Sequence, residues 1–198
     1  MKRSALAAVL FLLVLFSNYA FAQKNELGLL AGATFSPDNS TAVSFQGNYG
    51  RRIVDFRAAS LYLELPVVGV TRRDGPSNKF VDHFSSIFFT PSLKVKLLPS
   101  APISPFVSAG GGFAHFSSTF DSVSFNSVTS TFTSQTVNTS NTTGAFQAGG
   151  GFDIKTPIPA LGFRVEVREF FTGEPDPDFG LNDRHHNLVA GGGIVFRF

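Results

Sequence analysis

Ten charged residues carry most of the chemistry this sequence offers. The acids are Glu26, Glu64, Asp153 and Glu166; the bases are Lys94, Lys96, Lys155, Arg164, Arg168 and Arg197. Most have apolar neighbours on both sides. In an extended chain they therefore fall on one face while their neighbours form the other. Brought together out of water, four acids and six bases can form a connected set of ion pairs. Stranding one such charge without its partner costs about 3–5 kcal/mol. Other constellations are thinner. His115 and Ser117 share a strand face, as a nucleophile and its base would, but a third group must orient the histidine. No Glu follows before Glu166, and Asp121 is poorly spaced for the role. Glu174, Asp176, Asp178, Asp183, His185 and His186 offer oxygen and nitrogen ligands, yet their spacing fits no metal motif, and a solvated acidic loop is the better reading.

These side chains need elements to position them. Period-two alternation dominates, and helical periodicity is scarce. Eight strands are expected, at about 25–35, 41–50, 57–69, 85–97, 104–117, 143–155, 162–172 and 186–198. Leu61, Leu63, Leu65 and Val67 oppose Tyr62 and Glu64. Ile87, Phe89, Leu93, Val95 and Leu97 oppose Thr90, Ser92, Lys94 and Lys96. Phe163, Val165, Val167 and Phe171 oppose Arg164, Glu166 and Arg168. Leu188, Ala190, Ile194, Phe196 and Phe198 oppose Arg197. Apolar-out, polar-in alternation marks a membrane-spanning barrel. A soluble β-domain with its apolar face inward would alternate in the same way.

Other features separate the two. Short connections at 51–56, 98–103 and 156–161 alternate with long ones at 70–84, 118–142 and 173–185; the first loop, 36–40, is the exception. Short turns on one side and long loops on the other is the outer-membrane pattern, with both termini on the short side. The chain opens with Met1-Lys2-Arg3, an apolar run from Ala5 to Phe16 and Ala20-Phe21-Ala22, which reads as a signal peptide over 1–22. Residues 23–198 then form the barrel, and removing Lys2 and Arg3 takes the formal charge from +2 to zero. No basic patch suggests nucleic acid. Ala-Gly-Gly-Gly-apolar recurs at 109–113, 148–152 and 190–194, outside any phosphate-loop context. If the 156–161 turn is symmetric, Asp153 faces Arg164, and Gly151 and Gly149 face Glu166 and Arg168. Residues 117–143 hold 16 Ser/Thr and a single charge, Asp121. They read either as a hairpin projecting beyond the membrane or as disorder.

Three segments carry a family resemblance: Pro-Phe-Val-Ser-Ala-Gly-Gly-Gly at 105–112, Phe-Arg-Val-Glu-Val-Arg-Glu-Phe at 163–170 and Gly-Gly-Gly-Ile-Val-Phe-Arg-Phe at 191–198. With them, residues 23–198 resemble the OmpA/OmpX-like barrels of Gram-negative outer membranes. The resemblance implies an all-β, eight-stranded antiparallel up-and-down barrel seated in the outer-membrane bilayer. It also implies an assembly signal, at Phe198, Phe196 and Ile194, read by the outer-membrane insertion machinery. It implies no catalytic residue and no cofactor. The expected role is structural, adhesive or surface-protective. Alternatives are a narrow solute channel, a lipid-modifying enzyme, or a soluble lipocalin-like binder.

Overall fold

The computed structural model describes residues 24–35, 41–73, 81–126, 131–173 and 185–198. The segment read as a signal peptide lies outside them, as do Glu174, Asp176, Asp178 and Asp183. The strands are β1 (Asn25–Phe35), β2 (Thr41–Asp55), β3 (Ala59–Arg73), β4 (Val81–Phe89), β5 (Ser92–Leu97), β6 (Ile103–Asn126), β7 (Thr131–Lys155), β8 (Leu161–Thr172) and β9 (His185–Arg197). All pairings are antiparallel between neighbours, and β9 returns to β1, closing the sheet. At the seam, Asn25 N–H donates to the Phe198 carbonyl at 2.9 Å and Phe198 N–H to the Asn25 carbonyl at 3.0 Å. Closure removes the sheet edge through the wall, so each main-chain group there finds its partner inside the protein.

Nine segments make eight strands. β4 and β5 pair with β3 on one side and β6 on the other, and the register carries across the gap: Phe89 faces Phe113 and Ser92 faces Gly110. Thr90 and Pro91 interrupt the strand expected at 85–97, because proline has no N–H to give the ladder. Other boundaries also differ from expectation. β2 and β3 run on to a tight turn, where Phe56 N–H donates to the Ala59 carbonyl at 2.7 Å. The stretch expected as a loop at 118–142 is mostly strand: β6 and β7 pair from Ile103↔Ile154 to Asn126↔Thr131 without a register shift. In the 98–103 turn Leu98 is left-handed, at φ 48°, and its carbonyl accepts from Ala101 N–H at 2.9 Å.

The wall has two unlike faces. Outward positions hold Leu29, Phe45, Ile87, Val107, Phe152 and Val165, all exposed. A soluble domain buries such residues; a band of them around a closed barrel is the surface that lipid covers. The inward positions form two layers. Near the short turns the interior is charged. Nearer the long connections it becomes apolar, with Val68, Val70, Phe88, Ala114, Phe116, Ala145, Phe170 and Val189 packed together. The Phe88 ring lies 4.5 Å from that of Phe170 and meets Phe116 edge-on at 5.8 Å, centroid to centroid.

Candidate functional site: the charged barrel interior

Eight of the ten charges come together inside the wall. Glu26, Glu64, Lys94, Lys96, Asp153, Arg164, Glu166 and Arg168 are all buried. Each sits on its strand at the inward parity, and five strands, β1, β3, β5, β7 and β8, supply them. Arg164 is the hub. Its Nε donates to Asp153 Oδ1 at 2.7 Å, its Nη2 to Glu26 Oε1 at 2.8 Å, and its Nη1 to Glu64 Oε1 at 3.2 Å. Glu64 also accepts from Lys94 at 3.0 Å and from Arg168 Nη2 at 2.7 Å. Lys94 pairs with Glu26 as well, and Lys96 bridges Glu26 at 2.7 Å and Asp153 at 2.5 Å. Arg168 Nε holds Glu166 Oε1 at 2.6 Å, and Gln46 Nε2 donates to the same carboxylate.

Four acids meet four bases, so the buried set is neutral. Neutrality and dense pairing are what allow eight charges out of water; an isolated buried ion would instead unfold the site or discharge. Aromatic faces take up remaining cation surface: Tyr62 lies under Lys94 and Lys96, at 5.0 and 4.7 Å to the centroid, and Phe106 under Arg164 at 4.9 Å.

The other two bases sit apart. Arg197 is half-buried and reaches Asp153 only at 3.7 Å. Lys155 keeps the inward parity but is exposed at the end of β7, beyond the buried set. Its assignment to the barrel interior therefore needs correcting: the wall ends before the alternation does.

Glycine makes room for this network. Asp153 faces Arg164, Gly151 faces Glu166 and Gly149 faces Arg168, as a symmetric 156–161 turn requires. A Cβ on Gly151 would lie 2.8 Å from Glu166 Cα, and one on Gly149 2.9 Å from Arg168 Cγ. Two long charged side chains thus lie across a wall without side chains of its own.

The remaining candidates are placed separately. His115 Nδ1 is 2.8 Å from the Thr142 hydroxyl, so the group beside this imidazole is a threonine and not a carboxylate. Glu169, out of keeping on an apolar face, is 3.1 Å from His186 Nδ1. The ladders on both sides of β8 are unshifted, so Glu169 does face outward. Among the described residues, no group of three His, Cys, Asp or Glu side chains is placed to hold a metal ion. Phe196 is exposed on the outer face, and Ile194 and Phe198 are part-exposed.

Sequence reasoning missed the inward apolar layer and Gln46. Parity alone could have found both. Phe170 continues the series Arg164, Glu166, Arg168, and Val68 and Val70 continue Tyr62, Glu64.

No protein-family model matches the sequence, and no curated protein does. Solved structures do match. Neisserial surface protein A superposes with a TM-score of 0.59 at 14% identity, over 89% of this chain and 98% of that one. Ail of Yersinia pestis (TM-score 0.47, 13% identity, 87% and 96% covered) and the outer membrane enzyme PagL (0.48, 14%, 87% and 99%) are more distant. The closed antiparallel wall and the first of these likenesses define the class: this chain has the fold of the small eight-stranded outer-membrane β-barrels.

Proposed function

We propose that the protein is a non-enzymatic, integral barrel of a Gram-negative outer membrane, closed by its own side chains, whose work is done at the cell surface in a structural, adhesive or protective role. The observation that carries this is the neutral eight-charge network lying across the interior beneath an apolar layer. Eight strands enclose only enough space for side chains to fill. Here they are filled twice over, once by ion pairs and once by phenylalanines. A barrel closed in this way is an anchor, and what it presents is the β6–β7 hairpin, whose strands of 24 and 25 residues are the longest among the described residues.

The test is planar-bilayer recording of the refolded protein. The closed reading expects no steady conductance. A reproducible porin-like conductance would overturn it and establish the channel alternative.

A further inference from the structure

We infer that the short-turn end of the barrel is a seat for acidic phospholipid headgroups, held by Lys24, Arg51, Arg57 and Lys155. The inference rests on the membrane-barrel reading and concerns the end of the wall where the chain's short turns lie.

Six bases gather where the strands meet those turns. Lys24 precedes β1, Arg51 and Arg52 lie near the end of β2, Arg57 is in the β2–β3 turn, Lys155 ends β7 and Arg197 ends β9. They are scattered in the sequence, and closure of the sheet brings them to one end. Asn25 faces Arg51, Glu26 faces Arg197, and Arg52 N–H donates to the Lys24 carbonyl at 2.6 Å. Arg197 lies across Gly162, where a Cβ would be 2.9 Å from both its Nη1 and its Nη2, and Gly162 faces Lys155. Outside the buried network, Asp55 is the one acidic side chain among the described residues of this end, and Arg52 already holds it at 3.0 Å. Arg197 leans on Asp153 at 3.7 Å. The other four bases, Lys24, Arg51, Arg57 and Lys155, are exposed. Counting a carboxylate at Phe198 as well still leaves an excess of four positive charges.

The surroundings of these bases select a lipid headgroup. Leu27 faces Tyr49 on β2 and Phe196 on β9, and all three are exposed on the outer wall. The Tyr49 hydroxyl donates to Asn25 Oδ1 at 3.0 Å. Its ring thus lies with the apolar band and its polar tip at the band's edge, where interfacial tyrosines sit. Arg51 follows two residues later at the same outward parity. A long basic side chain at that height covers apolar surface with its stem and puts its charge among the phosphates. The four exposed bases are also spread along the wall, from the β2–β3 turn through β1, β9 and β8 to β7. At about 4.8 Å per strand this is roughly 20 Å of wall, which a row of headgroups can follow and one small anion cannot. A zwitterionic headgroup brings its own cation, whereas an acidic one brings negative charge that the rim can match. Residues 23–198 carry no net charge, so the attraction is confined to this end.

The test is electron paramagnetic resonance of the refolded protein in phosphatidylcholine vesicles holding a trace of spin-labelled phosphatidylglycerol or spin-labelled phosphatidylcholine. The motionally restricted fraction of each label gives its relative affinity for the wall. Phosphatidylglycerol should be preferred by about fivefold, the effect of one basic residue at an acidic surface. The preference should collapse towards one in 1 M salt, where the screening length is about 3 Å. Lys24→Gln, Arg51→Gln, Arg57→Gln and Lys155→Gln combined should abolish it while heat-modifiable migration is kept. Arg72→Gln with Arg73→Gln, at the other end of β3, should leave it unchanged. Restriction without preference, a preference that survives 1 M salt or the fourfold variant, or an equal loss in the Arg72/Arg73 variant would overturn the inference and leave the membrane reading intact. No restricted component from either label would overturn both.

Discussion

Changing Glu64 to Gln tests the interior most sharply, because the change is nearly isosteric and removes only charge. Glu64 is fully buried and accepts from Lys94, Arg164 and Arg168 at 3.0, 3.2 and 2.7 Å. With four buried acids against four buried bases, Glu64→Gln leaves the interior one positive charge in excess. Removing one partner of a buried pair costs about 3–5 kcal/mol. The amide oxygen still accepts one bond, so the lower end, about 3 kcal/mol, is expected. At a urea slope of about 1–3 kcal/mol/M, the unfolding midpoint should fall by about 1–3 M. The chain has no Trp, so the fraction folded is best read from heat-modifiable migration on gels. Adding Lys94→Met restores neutrality, three acids against three bases, and should recover much of the loss. A Glu64→Gln midpoint equal to wild type, or a double variant whose losses simply add, would refute the idea that the network is a balanced unit.

Four further outcomes are expected. Gly151→Ala should destabilise the barrel by about 1–3 kcal/mol through overpacking against Glu166. Gly47→Ala, whose new methyl meets nothing within 4 Å, should be neutral or stabilise by about 0.5–1 kcal/mol in the same urea assay. Phe198→Ala keeps the main-chain pair with Asn25 and so should lower the amount inserted in cells while refolding into detergent proceeds; normal cellular insertion would remove Phe198 from the assembly signal. Protease added to intact cells should cut within the long connections expected at 70–84, 118–142 or 173–185 and spare 98–103 and 156–161; cleavage at the short turns would invert the topology.

Much of this architecture was legible because a strand has a fixed period. Once Arg164 and Glu166 face inward, Asp153 and the two glycines follow from one short turn, and the inner charges follow from parity. What was not legible depends on height within the barrel. Phe88, Phe116 and Phe170 occupy inward positions that their residue type alone would assign to lipid, because the interior changes from ionic to apolar part-way up. Lys155 shows the converse: it has the right parity, but the wall has already ended. Pro91 was visible in the sequence, but its ability to break a strand without shifting the register is a property of the two neighbouring strands that hold it. The length of the β6–β7 hairpin was obscured by its composition, since Ser, Thr and Asn suit loops and polar strands alike.

The central claim is a folded barrel seated in the outer membrane. It is tested most directly by separating inner and outer membranes on a density gradient, washing each with alkaline carbonate, and running the unboiled and boiled protein side by side. The account predicts that the chain stays with the washed outer-membrane fraction and migrates faster unboiled than boiled. Release into the wash, or a single unchanging band from a soluble fraction, would contradict it.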